Sequence, residues 1–98
     1  MEIKKTRLKD CLIIEPKIFE DQRGFFYETY HLDKYKNIAN IDYKFVQDNL
    51  SSSKKNVLRG LHFQKKKPQG KIVRVIKGEV FDVAVDLRVD SDTFGKWE

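Results

Sequence analysis

The residues best able to do chemistry together lie in the middle of the chain. His62 sits in Leu58-Arg59-Gly60-Leu61-His62-Phe63-Gln64, flanked by apolar groups and three positions after an arginine. An unperturbed imidazole titrates at about pH 6.5, which makes it a competent general base near neutrality. A lone histidine on a strand is more often a satisfied structural residue. The surroundings of His62 shift that balance, because Gln47, Asp48 and Asn49 follow a strand-like stretch and supply amide donors and acceptors that a core does not require. Arg59 and Lys71 stand within strand-like text, so they are the candidate ligands for a small phosphorylated molecule, which needs only two or three well-placed cations. The second histidine, His31, falls where an aromatic stretch gives way to a helical one and reads as a surface or capping residue.

The distribution of charge supports an anionic ligand. The net charge is +5, but residues 1–50 carry nine basic and nine acidic side chains and cancel. The segment 54–77 holds nine lysines and arginines and no acid, and residues 79–98 swing acidic. Lys65-Lys66-Lys67 reads as a solvated loop tip. Nucleic acid is not the expected partner, since the overall excess is modest and no nucleic-acid motif is present.

Length and composition set further bounds. Ninety-eight residues make one domain at most, or a piece of one. A hydrophobic fraction of 40% is enough for a core and excessive for a disordered tail. One cysteine, Cys11, excludes an internal disulfide framework and fits a reducing cytoplasm. No apolar run approaches a membrane span, and no membrane partner is expected.

The elements that must position these residues are mostly strands. Phe81, Val83, Val85 and Leu87 alternate with Asp82, Ala84 and Asp86, the period of a half-buried strand. Lys71–Ile76 is a second strand, joined to the first through a tight turn at Lys77-Gly78. Val57–Gln64 and Tyr43–Asn49 are two more. Asp21-Gln22-Arg23-Gly24 has the residues of a turn and leads into the aromatic strand Phe25–Tyr30. Leu12–Ile14 is a short apolar strand. The one helical stretch is His31–Ala39, where Leu32, Tyr35, Ile38 and Ala39 share a face. Six or so short strands without alternating long helices describe an all-β sandwich or barrel. The end, Thr93-Phe94-Gly95-Lys96-Trp97-Glu98, reads as a strand being entered and suggests a cut.

Several motifs occur in a fixed order: Asp21-x-Arg23-Gly24-x-Phe26-x-Glu28, Val46-Gln47-Asp48-Asn49-x-Ser51, Leu58-Arg59-Gly60-Leu61-His62-Phe63-Gln64, Gln69-Gly70-Lys71-Ile72-Val73-Arg74-Val75, Gly78–Arg88, and Ser91-x-Thr93-Phe94-Gly95-Lys96-Trp97. Together they closely resemble the dTDP-4-dehydrorhamnose 3,5-epimerase family over essentially the whole chain. The resemblance implies a cupin-type jelly roll (double-stranded β-helix), with residues 1–98 forming the N-terminal part of a single cupin-like domain. It also implies a homodimer in dTDP-rhamnose synthesis, acting on a dTDP-4-keto-6-deoxyhexose without metal or other cofactor.

By the same resemblance His62 is the proton acceptor, and Arg59 and Lys71 are substrate-binding residues. Arg23, Glu28, Gln47, Asp48 and Asn49 match positions that hold the nucleotide-sugar, and Phe19 and Phe26 are candidate stacking surfaces for thymine; Phe19 reads equally well as core. The family's chain is roughly twice as long, and its proton-donating tyrosine and the aspartate that orients the histidine lie in the second half. None of Tyr27, Tyr30, Tyr35 and Tyr43 matches that donor, and neither Asp82 nor Asp86 matches the orienting carboxylate.

Two further readings stay open from the residues alone: a nucleotide-sugar-binding remnant without turnover, and a 3-epimerase or ketoisomerase on a related dTDP-4-keto sugar. A metal cupin is disfavoured, because Gln64 stands where a second ligand would be and His31 is remote. One geometric demand is specific. Strand alternation places Arg59 and His62 on opposite faces, so a shared pocket requires a local irregularity, and Gly60 is the residue to provide it.

Overall fold

Strand formation begins at the N-terminus, in a computed structural model that describes every residue from Met1 to Glu98. Strands β1 (Glu2–Lys5) and β2 (Leu12–Glu15) pair antiparallel, with Glu2 opposite Glu15 and Lys5 opposite Leu12. The cross-strand ion pair Lys4 Nζ–Glu15 Oε1, at 2.6 Å, lies on the exposed face. The loop between them closes on Thr6, whose hydroxyl donates to the Cys11 carbonyl at 2.9 Å and accepts from the Leu8 amide at 3.1 Å. That loop tucks Leu8 inside, one of three buried apolar residues in the chain.

A second hairpin follows. Strands β3 (Ile18–Asp21) and β4 (Gly24–Tyr27) pair antiparallel across the two-residue loop Gln22-Arg23. The Asp21 carboxylate accepts the Arg23 amide at 2.8 Å, the side-chain turn that aspartate favours at this position. Gly24, at φ +129°, takes a conformation that a Cβ would strain. Both faces of this hairpin are open, with Phe19, Phe25 and Phe26 each more than half exposed.

Helix α1 (Leu32–Ala39) starts after His31 in extended conformation and stops at Asn40, in the left-handed region at φ 55°. Its buried residues, Tyr35 and Ala39, are one turn apart on a single face. Tyr30 meets Tyr35 edge-on at 4.9 Å between ring centroids and Phe45 at 5.7 Å, so the helix sits on an aromatic cluster.

The C-terminal residues fold back on themselves. Ala84 and Glu98 exchange backbone hydrogen bonds at 3.0 and 2.9 Å, and Val85 bridges Trp97 antiparallel. Two arginines then tie this return to the N-terminal loop. Arg7 pairs with Glu98 at 2.8 Å and donates to the Trp97 carbonyl at 3.1 Å. Arg88 pairs with Asp10 at 3.1 Å and donates to the Lys9 carbonyl at 2.9 Å.

The reading from sequence holds for the turn at Asp21–Gly24, for β2 and for the helix, and the four strands outnumber the single helix. Other expectations are corrected. The segments Tyr43–Asn49, Val57–Gln64 and Lys71–Ile76 run without regular strand pairing, and the alternating stretch Phe81–Leu87 pairs only over Ala84–Asp86, against the returning end of the chain. The aromatic strand ends at Tyr27, and the bend at Lys77-Gly78 joins no paired strands.

The reason is physical. Side-chain alternation makes a segment fit a sheet, but a strand exists only through hydrogen bonds to a neighbour. Between Asp42 and Val83 the backbone makes one such bond, Val57 N–H to Lys54 O at 3.4 Å. The chain has 24 backbone–backbone hydrogen bonds, against roughly 65 for a fully paired domain of this length. Its radius of gyration is 15.5 Å, where a closed domain of this size would have about 12–13 Å. No helix is long and apolar enough to cross a membrane.

Candidate functional site

A cleft of about 710 Å³ lies between the two hairpins, the start of α1 and residues 71–74. Its wall is apolar, with Leu12, Ile14, Ile18, Phe25 and Ile72, and its polar groups include Glu28, Tyr35, Lys71 and Arg74. Two of the expected site residues, Glu28 and Lys71, therefore face one space. Glu28 follows β4 and accepts Lys34 Nζ at 2.8 Å, and this hydrogen bond holds its carboxyl below the usual carboxylate range. Lys71 and Arg74 have no carboxylate partner, so their charge is available to a ligand.

A shallower hollow of about 500 Å³ lies along the second hairpin and collects Phe19, Arg23 and Phe26. Arg23 is at the hairpin tip, where its guanidinium binds Asp21 through Nε and Nη2. The contact lowers the Asp21 pKa and raises that of Arg23. Phe19 and Phe26 face each other across the sheet register. Rings so exposed, beside a cation, form a surface on which a planar base can stack.

The remaining expected residues lie on the irregular stretch. Gln47 Nε2 donates to Asn49 Oδ1 at 3.2 Å, with Asp48 exposed between them. Arg59 Nε donates to Ser53 Oγ at 2.9 Å, and its Nη2 reaches the Ser52 carbonyl at 3.4 Å. The irregularity required at Gly60 is present. This residue has φ +101°, and a Cβ built there would lie 3.3 Å from both the backbone nitrogen and Nδ1 of His62. The imidazole thus folds back over a glycine that must stay bare. No hydrogen bond links Arg59 to His62; the guanidinium is engaged by the two serines instead.

Two contributors were not singled out from the sequence. Lys34 neutralises Glu28, and its signal was only an opposite charge six residues away on the helix that follows. Arg74 joins Lys71 at the cleft. Regular strand alternation puts residues three apart on opposite faces, so only the unpaired course of this segment lets both line one space.

The chain can now be set beside known proteins. The family profile described as dTDP-4-dehydrorhamnose 3,5-epimerase matches residues 5–98. The dTDP-4-dehydrorhamnose 3,5-epimerase of Salmonella typhimurium is 56% identical over 98 residues, covering 99% of this chain and 54% of that protein. A dTDP-4-dehydrorhamnose 3-epimerase of Streptomyces niveus is 39% identical, covering 100% and 48%. The crystal structure of a Legionella pneumophila dTDP-6-deoxy-D-glucose-3,5-epimerase in complex with dTDP-4-keto-L-rhamnose shares the fold at a TM-score of 0.94 and 54% identity, covering 99% of this chain and 52% of that one. The chain spans about half the length of the curated relatives it matches. With the profile running from residue 5 to the last residue, the chain belongs to the dTDP-4-dehydrorhamnose 3,5-epimerase family.

Proposed function

We propose that this chain carries the proton-abstracting part of an enzyme that epimerises dTDP-4-dehydro-6-deoxy-glucose at C3 and C5, giving dTDP-4-dehydro-rhamnose. Both carbons are α to the C4 ketone, which acidifies their protons. In this reading His62 removes a proton from one face as general base. The electrons move onto the ketone oxygen, and the Lys71 ammonium stabilises that enolate charge. Arg59 binds the anionic diphosphate. Arg23, Glu28, Gln47, Asp48 and Asn49 hold the nucleotide-sugar, with Phe26 and Phe19 against thymine. Reprotonation from the opposite face completes the inversion and restores the ketone. No step calls for a metal.

The observation that carries this reading is the Legionella complex, which holds a dTDP-4-keto sugar on a chain sharing the backbone course at a TM-score of 0.94. The motifs around Arg23, Gln47–Asn49, Arg59–His62 and Lys71 all fall within the matched residues. The same relationship supports a cupin-type jelly roll to which residues 1–98 contribute the N-terminal part, a homodimer, and a cytoplasmic setting for dTDP-rhamnose synthesis. Solvent deuterium exchange at C3 and C5, followed by NMR, tests the base. His62→Ala should abolish exchange, and exchange at the unsubstituted rate would remove His62 from the role.

A second reading is binding without turnover. It is favoured by the open setting of His62, an exposed residue on a stretch without regular pairing. Calorimetric titration with dTDP beside an epimerisation assay on this chain separates the two, since binding without product supports the second.

A further inference from the structure

Six of the eleven lysines and arginines outside residues 54–77 form ion pairs with carboxylates. None of the nine inside does, and all nine are exposed. The cause is in the sequence: between Asp48 and Glu79 thirty consecutive residues contain no acid. No acid within the run offsets their positive charge, and the run includes Arg59, His62 and Lys71.

Lys65, Lys66 and Lys67 belong to this run and have no assigned contact. Chain geometry limits how far they can be from the groups that do. Lys65 is three positions beyond His62, so their Cα atoms lie within about 11 Å; Lys67 is within about 15 Å of the Lys71 Cα. Even at these upper bounds the lysines lie within or close to the range of the field, since the Debye length is about 8 Å at 0.15 M salt and about 30 Å at 0.01 M. Charges so placed change how often an anion arrives and leave its stay on the site nearly unaltered.

We propose that Lys65-Lys66-Lys67 is an electrostatic capture surface that steers a nucleoside diphosphate toward the Arg59–Lys71 stretch without contacting it once bound. The inference rests on the nucleotide-sugar reading above and adds a role to residues which that reading leaves as a bare loop tip. A diphosphate carries the charge on which such a field acts, whereas a free nucleoside or sugar does not.

Stopped-flow association of a fluorescent dTDP derivative tests it, with the triple variant Lys65→Ser, Lys66→Ser, Lys67→Ser. The control is Lys5→Ser, Lys9→Ser, Lys96→Ser, which lowers the net charge equally from outside the run. At about 0.01 M ionic strength the on-rate of the loop variant should fall about tenfold and that of the control less than about twofold, and at about 0.5 M all three proteins should converge. Off-rates should stay the same throughout. Replacing the same three lysines by glutamate should deepen the loss. Equal on-rates for the two triple variants, or a loss confined to the off-rate, would overturn the steering role while leaving the binding site intact. Failure of the unsubstituted chain to bind dTDP at any salt would overturn the nucleotide-sugar reading and this inference with it.

Discussion

The Arg88 guanidinium holds Asp86 with Nε at 2.8 Å and Nη2 at 2.9 Å, while its Nη1 reaches Asp10, seventy-eight residues away in sequence, at 3.1 Å. Asp86 is the only buried charged residue, its side chain 1% exposed. A carboxylate can be taken from water only if its lone pairs find donors. Here Ser91 Oγ and Thr93 Oγ1, both at 2.6 Å, and the Arg88 amide at 3.0 Å complete the set. One acid thus shapes the turn that returns the chain to Trp97, and its arginine fixes that turn to the N-terminal loop.

Replacing this acid should be costly. Asp86→Asn keeps the shape but removes the charge and offers one acceptor oxygen to four donating groups, so the melting temperature should fall by about 5 °C or more. The donors, Arg88 foremost, hold the Asp86 pKa far below the ordinary carboxylate range. A depressed folded-state pKa gives stability that is complete above the unfolded value, about 3.9, and is lost as pH falls below it toward the folded value. Thermal unfolding at pH 2–7 should therefore show the two proteins separated by a constant gap above about pH 5, with the gap narrowing in acid. A gap that stays constant down to pH 2 would contradict the assignment.

Gly60 should be equally intolerant for a different reason. At φ +101° a side chain is strained, and its Cβ would press on His62 from 3.3 Å. Gly60→Ala should displace the imidazole and slow solvent deuterium exchange into the keto sugar by about tenfold to hundredfold. The calorimetric dissociation constant for dTDP should move by less than about threefold, because the nearest atoms to that Cβ beyond its chain neighbours all belong to His62. Equal losses in exchange and affinity would place the effect on the fold of the segment and not on the base.

Local signals carried the parts of the fold that local contacts build. Asp21 and Gly24 marked a turn whose hydrogen bonds lie within four residues, and the shared face of Tyr35 and Ala39 marked the helix. Segments 43–49, 57–64 and 71–76 read as strands, yet they do not pair, because pairing depends on a neighbour that no pattern inside a segment specifies. The candidate site divides the same way. Charge and strand-like context pointed to Lys71 and the family resemblance to Glu28, and the two line one cleft. The presence of Arg74 beside them follows from an irregular backbone, which alternation rules argue against. The clamp through Asp86, Arg88 and Asp10 was illegible for a related reason: its partners are far apart in sequence, and nothing in either segment announces the other.

The end of α1 offers a conformational test. Asn40 occupies the left-handed region at φ 55°, where its amide and that of Ile41 both donate to the Tyr35 carbonyl. Asparagine and glycine tolerate this region and β-branched residues do not. Asn40→Gly should change stability by less than about 0.5 kcal/mol, and Asn40→Val should cost about 1–2 kcal/mol. Urea titration of the two variants checks this, and equal costs would mean that the residue has no conformational role.

Tyr35 joins the helix to the chain that precedes it. Its ring is buried, 6% exposed, and its hydroxyl donates to the Thr29 carbonyl at 3.2 Å. Tyr35→Phe removes that bond and should cost about 1 kcal/mol, while Tyr35→Ala also removes the ring and should cost about 3 kcal/mol or more. Burial raises the phenol pKa, with the nearby Arg74 partly opposing the shift. A raised folded-state pKa gives stability that is complete below the unfolded value, about 10, and is lost as pH climbs past it toward the folded value. The unsubstituted chain should therefore lose stability more steeply than Tyr35→Phe between about pH 9.5 and pH 11. Unfolding in urea across that range measures the difference, and parallel alkaline limbs would show that Tyr35 ionises as freely folded as unfolded.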